Sequence, residues 1–375
     1  MKLVKERNYG IDLLRMFSML MIVALHVLGQ GGILDAAAPG SLNYWVAWFL
    51  EAAMYSAADC FALISGYALS VKNTKISSII SLWLQTLFYS VGITVLFFFF
   101  VPDAGISKTD ILIASFPVIT KRYWYISAYF GMYVVAPILN VALINMKKRS
   151  MEFVFIGMLI VLGGFSLKFD PFNLGGGCSS MWLCMLYLLG GYLRKYDIIS
   201  KFRSIKGWAL FGSMSVITFL SKFIIETFTN LPERNADYPM LLVSFVSPTV
   251  LLAGVGLFVV FARMKFPKSV EKIISIVSPA ALGVYLIHVC DPIWNNAFKG
   301  FSAGFVNYSP VKMVFMVIGS SVAIYVACSA IELVRIYLFK ALRINVLCSF
   351  AGDKIRVWVN RFLLRFEEDK DFLTK

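Results

Sequence analysis

The chain has 375 residues and a net charge of +14; 59% of its residues are hydrophobic and only 15% are charged. A soluble domain carries about 25% charged residues, so most of the surface of this chain does not face water. The lysines and arginines lie in short loops between long apolar blocks, without a nucleic-acid motif, which excludes a nucleic-acid-binding protein.

The apolar blocks are close to the ~20 residues that cross a bilayer, and they predict an all-α, polytopic integral membrane protein with about ten transmembrane helices. In chain order the predicted helices lie at 11–29, 44–71, 77–101, 124–145, 151–167, 181–193, 207–227, 239–262, 272–290 and 311–338. Residues 1–340 form the predicted transmembrane domain, and residues 341–375 form a charged, amphipathic tail on the cytoplasmic side.

The distribution of basic residues predicts the orientation. With the N-terminus inside, 26 of the 35 lysines and arginines fall in cytoplasmic segments and 6 in outer loops. Positive charge accumulates on the cytoplasmic side of membrane proteins, so we expect a multi-pass protein of the cytoplasmic (plasma) membrane with both termini inside. The first apolar segment is too long for a cleaved signal peptide. The six cysteines show no metal-ligand spacing, so we expect no metal site and no permanently bound cofactor.

Helix 11–29 carries three ionisable side chains: Asp12, Arg15 and His26. Asp12 and Arg15 are three residues apart and can pair on one face. Arg15 and His26 are eleven apart, which places them on one stripe about 16 Å apart along the axis. A guanidinium suits a phosphate-bearing donor, and an imidazole suits removal of a proton from a hydroxyl. The alternative is that Arg15 reaches the inner interface and His26 makes a helix–helix hydrogen bond.

Further polar and aromatic residues lie in later helices. Asp59 sits inside an apolar segment, where charged residues usually face a protein interior or a wet cavity, and Ser65 follows it. Trp124 and Tyr125 fit an outer aromatic belt or a surface that stacks on a sugar. His288 ends the segment LGVYLIHV and is either a packing residue or part of the site.

Five ordered blocks resemble the membrane-bound acyltransferase-3 family. The segment IDLLRMFSMLMIVALHVLGQGG carries the Arg, ten-residue gap, His signature as Arg15 and His26. ADCFALISGYAL is similar to the D-x-F-F-x-x-S-G-Y block, and YWYISAYFGMYVVAPILN to the W-[FY]-[IL] … Y-x-x-x-P-[LI]-L block. LLGGYLRKY and LGVYLIHV fit the later spans, and the resemblance covers about residues 8–340.

The resemblance implies an O-acyltransferase that moves an acetyl group from cytoplasmic acetyl-CoA to a hydroxyl of a cell-surface or lipid-linked polysaccharide. It implies catalytic roles for His26 and Arg15, with Asp12 orienting Arg15. Many members have Arg-x-x-Arg where this chain has Lys72 and Lys75, so these lysines join Arg15 as predicted donor-binding residues. The predicted cavity or acceptor-side residues are Asp59, Ser65, Trp124, Tyr125 and His288. The alternative function is a transporter or flippase of a lipid-linked sugar or small anion.

Overall fold

The computed structural model describes residues 7–70, 75–228 and 240–373, and all regular structure in these residues is helical. The prediction of an all-α membrane protein is therefore confirmed. The α-helices, numbered α1 to α17 in chain order, are Tyr9–Leu28, Ile33–Ala36, Leu42–Met54, Ala57–Leu69, Ile76–Phe100, Lys108–Ala114, Trp124–Asn145, Lys148–Met158, Ser180–Lys195, Ile198–Lys201, Ser204–Phe228, Pro248–Ala262, Lys268–Val277, Ala281–His288, Asp291–Ile293, Pro310–Ala341 and Ile344–Leu373.

Each of the ten predicted segments contains helix, but their lengths differ from the prediction. Within the described residues, seven helical segments are long and apolar enough to cross a membrane. The other three predicted segments form shorter helices. Helix α8 continues only as a π-helical turn at Leu159–Gly164, α9 has 16 residues, and α12 has 15. At 1.5 Å per residue, α9 and α12 are about 24 and 22 Å long, shorter than the ~30 Å hydrocarbon core.

Three predicted helices are interrupted or shortened. The segment predicted at 44–71 divides into α3 and α4 at a turn formed by Tyr55 and Ser56. The segment predicted at 272–290 divides into α13 and α14 at a 3₁₀ turn that contains Pro279, which has no N–H to continue the helix. The segment predicted at 239–262 becomes helical only at Pro248, whose fixed φ suits the first turn of a helix.

Helix α1 is the centre of the bundle. Asn8 caps its first turn by accepting a hydrogen bond from the backbone N–H of Ile11 at 3.1 Å. The helix then packs against α3, α4, α12, α14 and α16. Helices α5, α11 and α16 instead expose many large apolar side chains, as helices at a lipid boundary do. Helix α1 therefore lies inside the bundle, with Arg15 near its start remaining partly exposed.

Small residues let the surrounding helices approach closely, and buried charged residues on α11 and α16 are paired within their own helices. A side chain added at Gly66 would lie 1.9 Å from the carbonyl oxygen of Tyr187, so glycine lets α4 and α9 approach closely. On α11, Lys222 pairs with Glu226 at 2.7 Å. On α16, the fully buried Glu332 pairs with Arg335 and also accepts hydrogen bonds from Gln85 at 3.0 Å and Tyr89 at 2.5 Å. The pairings of Lys222 with Glu226 and of Glu332 with Arg335 are those expected from their spacing.

Candidate functional site

The two histidines of the chain meet, although they are 262 residues apart in sequence. Nδ1 of His26, near the end of α1, lies 2.9 Å from Nε2 of His288, the last residue of α14. His288 is only 1% exposed. The rings of His26 and Trp294 also pack edge to face, with centroids 4.8 Å apart and planes at 87°. His26 is therefore fixed on two sides by the segment that follows α13.

Hydrogen bonds assign the tautomers of this pair. Nδ1 of His288 lies 2.5 Å from the carbonyl oxygen of Val284, which can only accept. Nδ1 of His288 therefore donates, and its Nε2 is an acceptor when the ring is neutral. The hydrogen between the two rings then belongs to Nδ1 of His26. Consequently, Nε2 of a neutral His26 keeps a free lone pair, which is the state required of a general base.

A cavity of about 70 Å³ lies beside His26. Three of the predicted site residues line it: His26, Trp124 and Tyr125. The complete lining is Met19, Ile22, Leu25, His26, Ala58, Phe61, Trp124, Tyr125, Phe245, Leu282 and Tyr285.

A stack of three aromatic rings forms one wall of the cavity. Phe245 lies between Tyr55 and Trp124, with ring centroids 4.7 and 5.7 Å away and interplanar angles of 27° and 28°. Phe245 belongs to the turns that precede α12, and loop residue Gly177 packs on it. A side chain at Gly177 would lie 2.5 Å from Cβ of Phe245, and its φ of 102° also favours glycine. The two loops thus place Phe245 against the cavity.

A buried arginine fixes the start of α7, which carries Trp124 and Tyr125. Arg122, with a side chain only 3% exposed, lies 3.1 Å from a carboxylate oxygen of Asp291 and donates to Thr94 Oγ1 at 3.0 Å. Burial raises the pKa of Asp291 above its ordinary value, and the nearby Arg122 charge opposes that shift. Asp291 begins the helix that leads to Trp294. This ion pair therefore connects the start of α7, with Trp124 and Tyr125, to the segment that holds His26.

Arg15 lies on the same face of α1 as His26 but is not among the residues that line the cavity. Asp12 holds it at 2.8 Å, as predicted, and the other Asp12 oxygen accepts from Arg7 at 2.6 Å. The Arg15 side chain is 30% exposed. Met19 and Ile22 occupy the same face between Arg15 and His26 and form part of the cavity wall. Apolar side chains therefore separate Arg15 from His26 along this face of α1.

A row of tyrosines on α7 runs alongside this face. Tyr125, Tyr129 and Tyr133 are spaced four residues apart, with successive ring centroids 6.4 and 6.2 Å apart. Tyr125 lines the cavity, and Tyr133 ends at Lys75, where its hydroxyl donates to the backbone carbonyl at 3.0 Å. The row therefore connects the predicted donor-binding residue Lys75 with the cavity. Lys72 lies outside the described residues.

Asp59 and Ser65, on α4, are not among the residues that line the cavity. Asp59 is 1% exposed and accepts a hydrogen bond from Trp182 Nε1 at 3.1 Å. Its other carboxylate oxygen is buried without a hydrogen-bond partner among the described residues. The hydroxyl of Ser65 donates to the backbone carbonyl of Phe61 at 2.9 Å, within its own helix. Their predicted roles remain predictions.

Sequence reasoning missed several residues of the site. Tyr285 was identifiable because it is one helical turn before His288 in the same motif. Met19 and Ile22 were identifiable because they lie four and seven residues after Arg15. No local pattern indicated Phe245, an apolar residue in a turn.

One family model matches most of the chain: Acyl_transf_3, described as an acyltransferase domain, matches residues 8–331. No curated protein and no solved structure matches the chain. The matched region contains the whole cavity and both histidines.

Proposed function

The chain belongs to the acyltransferase-3 family and is a membrane acyltransferase, and we propose that it transfers an acetyl group from cytoplasmic acetyl-CoA to a hydroxyl of a cell-surface or lipid-linked polysaccharide. The observation that carries the proposal is that His26 lines the cavity while its Nδ1 is hydrogen-bonded to His288, which leaves Nε2 of the neutral ring unprotonated. This arrangement supports His26 as the general base and His288 as a positioning residue.

The cavity volume supports a small acyl group. A cavity of about 150 Å³ holds benzene, with six heavy atoms, so about 70 Å³ holds roughly three heavy atoms. An acetyl group has three heavy atoms, whereas a sugar ring is far larger. We propose that the acetyl group enters the cavity and that the acceptor presents only its hydroxyl, with its ring at the aromatic stack of Tyr55, Phe245 and Trp124.

The donor reaches the cavity from the opposite side in this proposal. Arg15, oriented by Asp12 and partly exposed, binds the phosphates of CoA together with Lys75 and Lys72. A guanidinium can contact two phosphate oxygens at once. The pantetheine arm then extends along the face of α1, where Met19 must move aside. Methionine suits this role because its side chain is unbranched and flexible.

The transfer then proceeds in two steps. Nε2 of His26 takes the proton from the acceptor hydroxyl as its oxygen bonds to the thioester carbonyl carbon. When the carbonyl re-forms, the carbon–sulfur bond breaks and the CoA thiolate takes the proton from His26. The acetyl group leaves on the sugar, and His26 returns to its starting state. This sequence requires a cytoplasmic donor side, so we also propose that the protein lies in the plasma membrane with both termini inside.

Mass spectrometry of the surface glycan from cells with and without this chain tests the acceptor. We expect acetyl ester groups only in the glycan from cells that contain it. A transporter or flippase would change the amount of glycan at the surface without changing its acetylation, and it would consume no acetyl-CoA. That outcome would contradict the proposed activity.

A further inference from the structure

Two tyrosines that line the cavity carry hydroxyls with no assigned role. The side chains of Tyr125 and Tyr285 both line it, and both hydroxyl oxygens are buried. Neither hydroxyl has an acceptor for its hydrogen in the described part of the chain, although the Tyr285 hydroxyl interacts with the backbone N–H of Tyr125. Their neighbour Tyr123 differs, since its hydroxyl donates to the backbone carbonyl of Leu286 at 3.1 Å. Buried polar groups are normally paired, so an unpaired group requires an explanation, and a catalytic role is one.

Acyl transfer requires hydrogen-bond donors near the carbonyl oxygen of the thioester. When a hydroxyl oxygen bonds to the thioester carbonyl carbon, the carbonyl electron pair moves to its oxygen and produces an oxyanion. Fixed hydrogen-bond donors in a site without bulk water stabilise this charge strongly. His26 is occupied with the proton of the acceptor, so it is not a donor to the oxyanion at that moment.

We propose that the hydroxyls of Tyr125 and Tyr285 bind the oxyanion of the tetrahedral intermediate. The inference rests on the proposed acyl transfer and adds two catalytic residues to it. The two rings meet nearly edge to face, with centroids 6.5 Å apart, and they come from α7 and α14. The site is thus complete only when these helices are packed together, and the unpaired hydroxyls receive their acceptor when the substrate arrives.

The test compares Tyr125→Phe and Tyr285→Phe with Tyr123→Phe in the purified full-length protein. Turnover is measured as CoA thiol release from acetyl-CoA in the presence of isolated surface polysaccharide. Removal of one oxyanion donor lowers kcat by about 10²–10³-fold. We expect a decrease in kcat of this size for Tyr125→Phe and for Tyr285→Phe, with little change in KM for acetyl-CoA. Tyr123→Phe should keep the wild-type kcat, because its hydroxyl bonds to the backbone. 3-Fluorotyrosine at position 125, which retains a more acidic hydroxyl, should preserve turnover.

A thioether analogue of acetyl-CoA, which cannot form the oxyanion, should bind all three variants as it binds the wild type, which separates a catalytic defect from misfolding. The inference is overturned if both Tyr125→Phe and Tyr285→Phe retain kcat within about threefold, or if Tyr123→Phe loses as much as they do. In either case an active wild type and an inactive His26→Ala would leave the proposed function standing. If the wild type itself releases no CoA, the proposed function fails and this inference fails with it.

Discussion

Replacing His288 with phenylalanine removes the acceptor of the 2.9 Å hydrogen bond from His26 while keeping an aromatic ring in the same buried place. An unpaired buried donor costs about 1–3 kcal/mol, and 1.36 kcal/mol of activation free energy corresponds to tenfold in rate. If the whole cost falls on the orientation of His26 in the transition state, kcat decreases by about 5- to 150-fold. Removal of His26 itself should cost more, about 10²–10⁴-fold.

The assay is CoA release by the purified variant in lipid nanodiscs, with kcat and KM determined separately. His288→Gln should recover part of the lost kcat, because its amide oxygen can accept from Nδ1 of His26. Gln85→Leu is the matched control: it removes a buried hydrogen bond to Glu332, away from the cavity, and should lower thermal stability without lowering kcat. Equal activity of the phenylalanine variant and the wild type would show that His288 only fills space. Equal loss in the phenylalanine and glutamine variants would show that accepting the hydrogen bond from His26 is not its role.

The donor side and the topology can be tested by substitutions and by a reporter fusion. Arg15→Lys should raise KM for acetyl-CoA roughly tenfold or more, because charge-assisted hydrogen bonds contribute about 1.5–3 kcal/mol; a wild-type KM would show that Arg15 only reaches the membrane interface. Met19→Trp should block turnover by filling the path that the pantetheine arm takes, whereas Met19→Ala should remain active. The measurement is CoA release by the two variants, and full activity of Met19→Trp would show that the pantetheine arm takes another path. A reporter fused after Lys375 should give a cytoplasmic signal, and an external signal would refute the proposed orientation.

The membrane class and the stripe on α1 were predictable because both depend on local periodicity. Apolar blocks reveal spans directly, and a spacing of eleven residues places Arg15 and His26 on one helix face. The pairing of Asp12 with Arg15 follows from the same geometry and is formed in the structure.

The partners of His26 were not predictable in this way. Its contact with His288 joins helices 262 residues apart, and no spacing within a helix encodes such a contact. The break at Tyr55 and Ser56 was also missed, since neither glycine nor proline marks the turn and apolar residues flank it on both sides. Pro248 did carry a readable signal for the start of α12, but the apolar residues before it made a longer helix look plausible.

The central claim is that His26 activates a sugar hydroxyl for attack on acetyl-CoA. The most direct measurement is transfer of radiolabelled acetyl from acetyl-CoA to isolated surface polysaccharide by the purified wild type and by His26→Ala, each reconstituted in liposomes. We predict that the wild type labels the polysaccharide and that His26→Ala, although normally inserted, labels it at least about 100-fold more slowly. A His26→Ala rate above half that of the wild type would contradict the account.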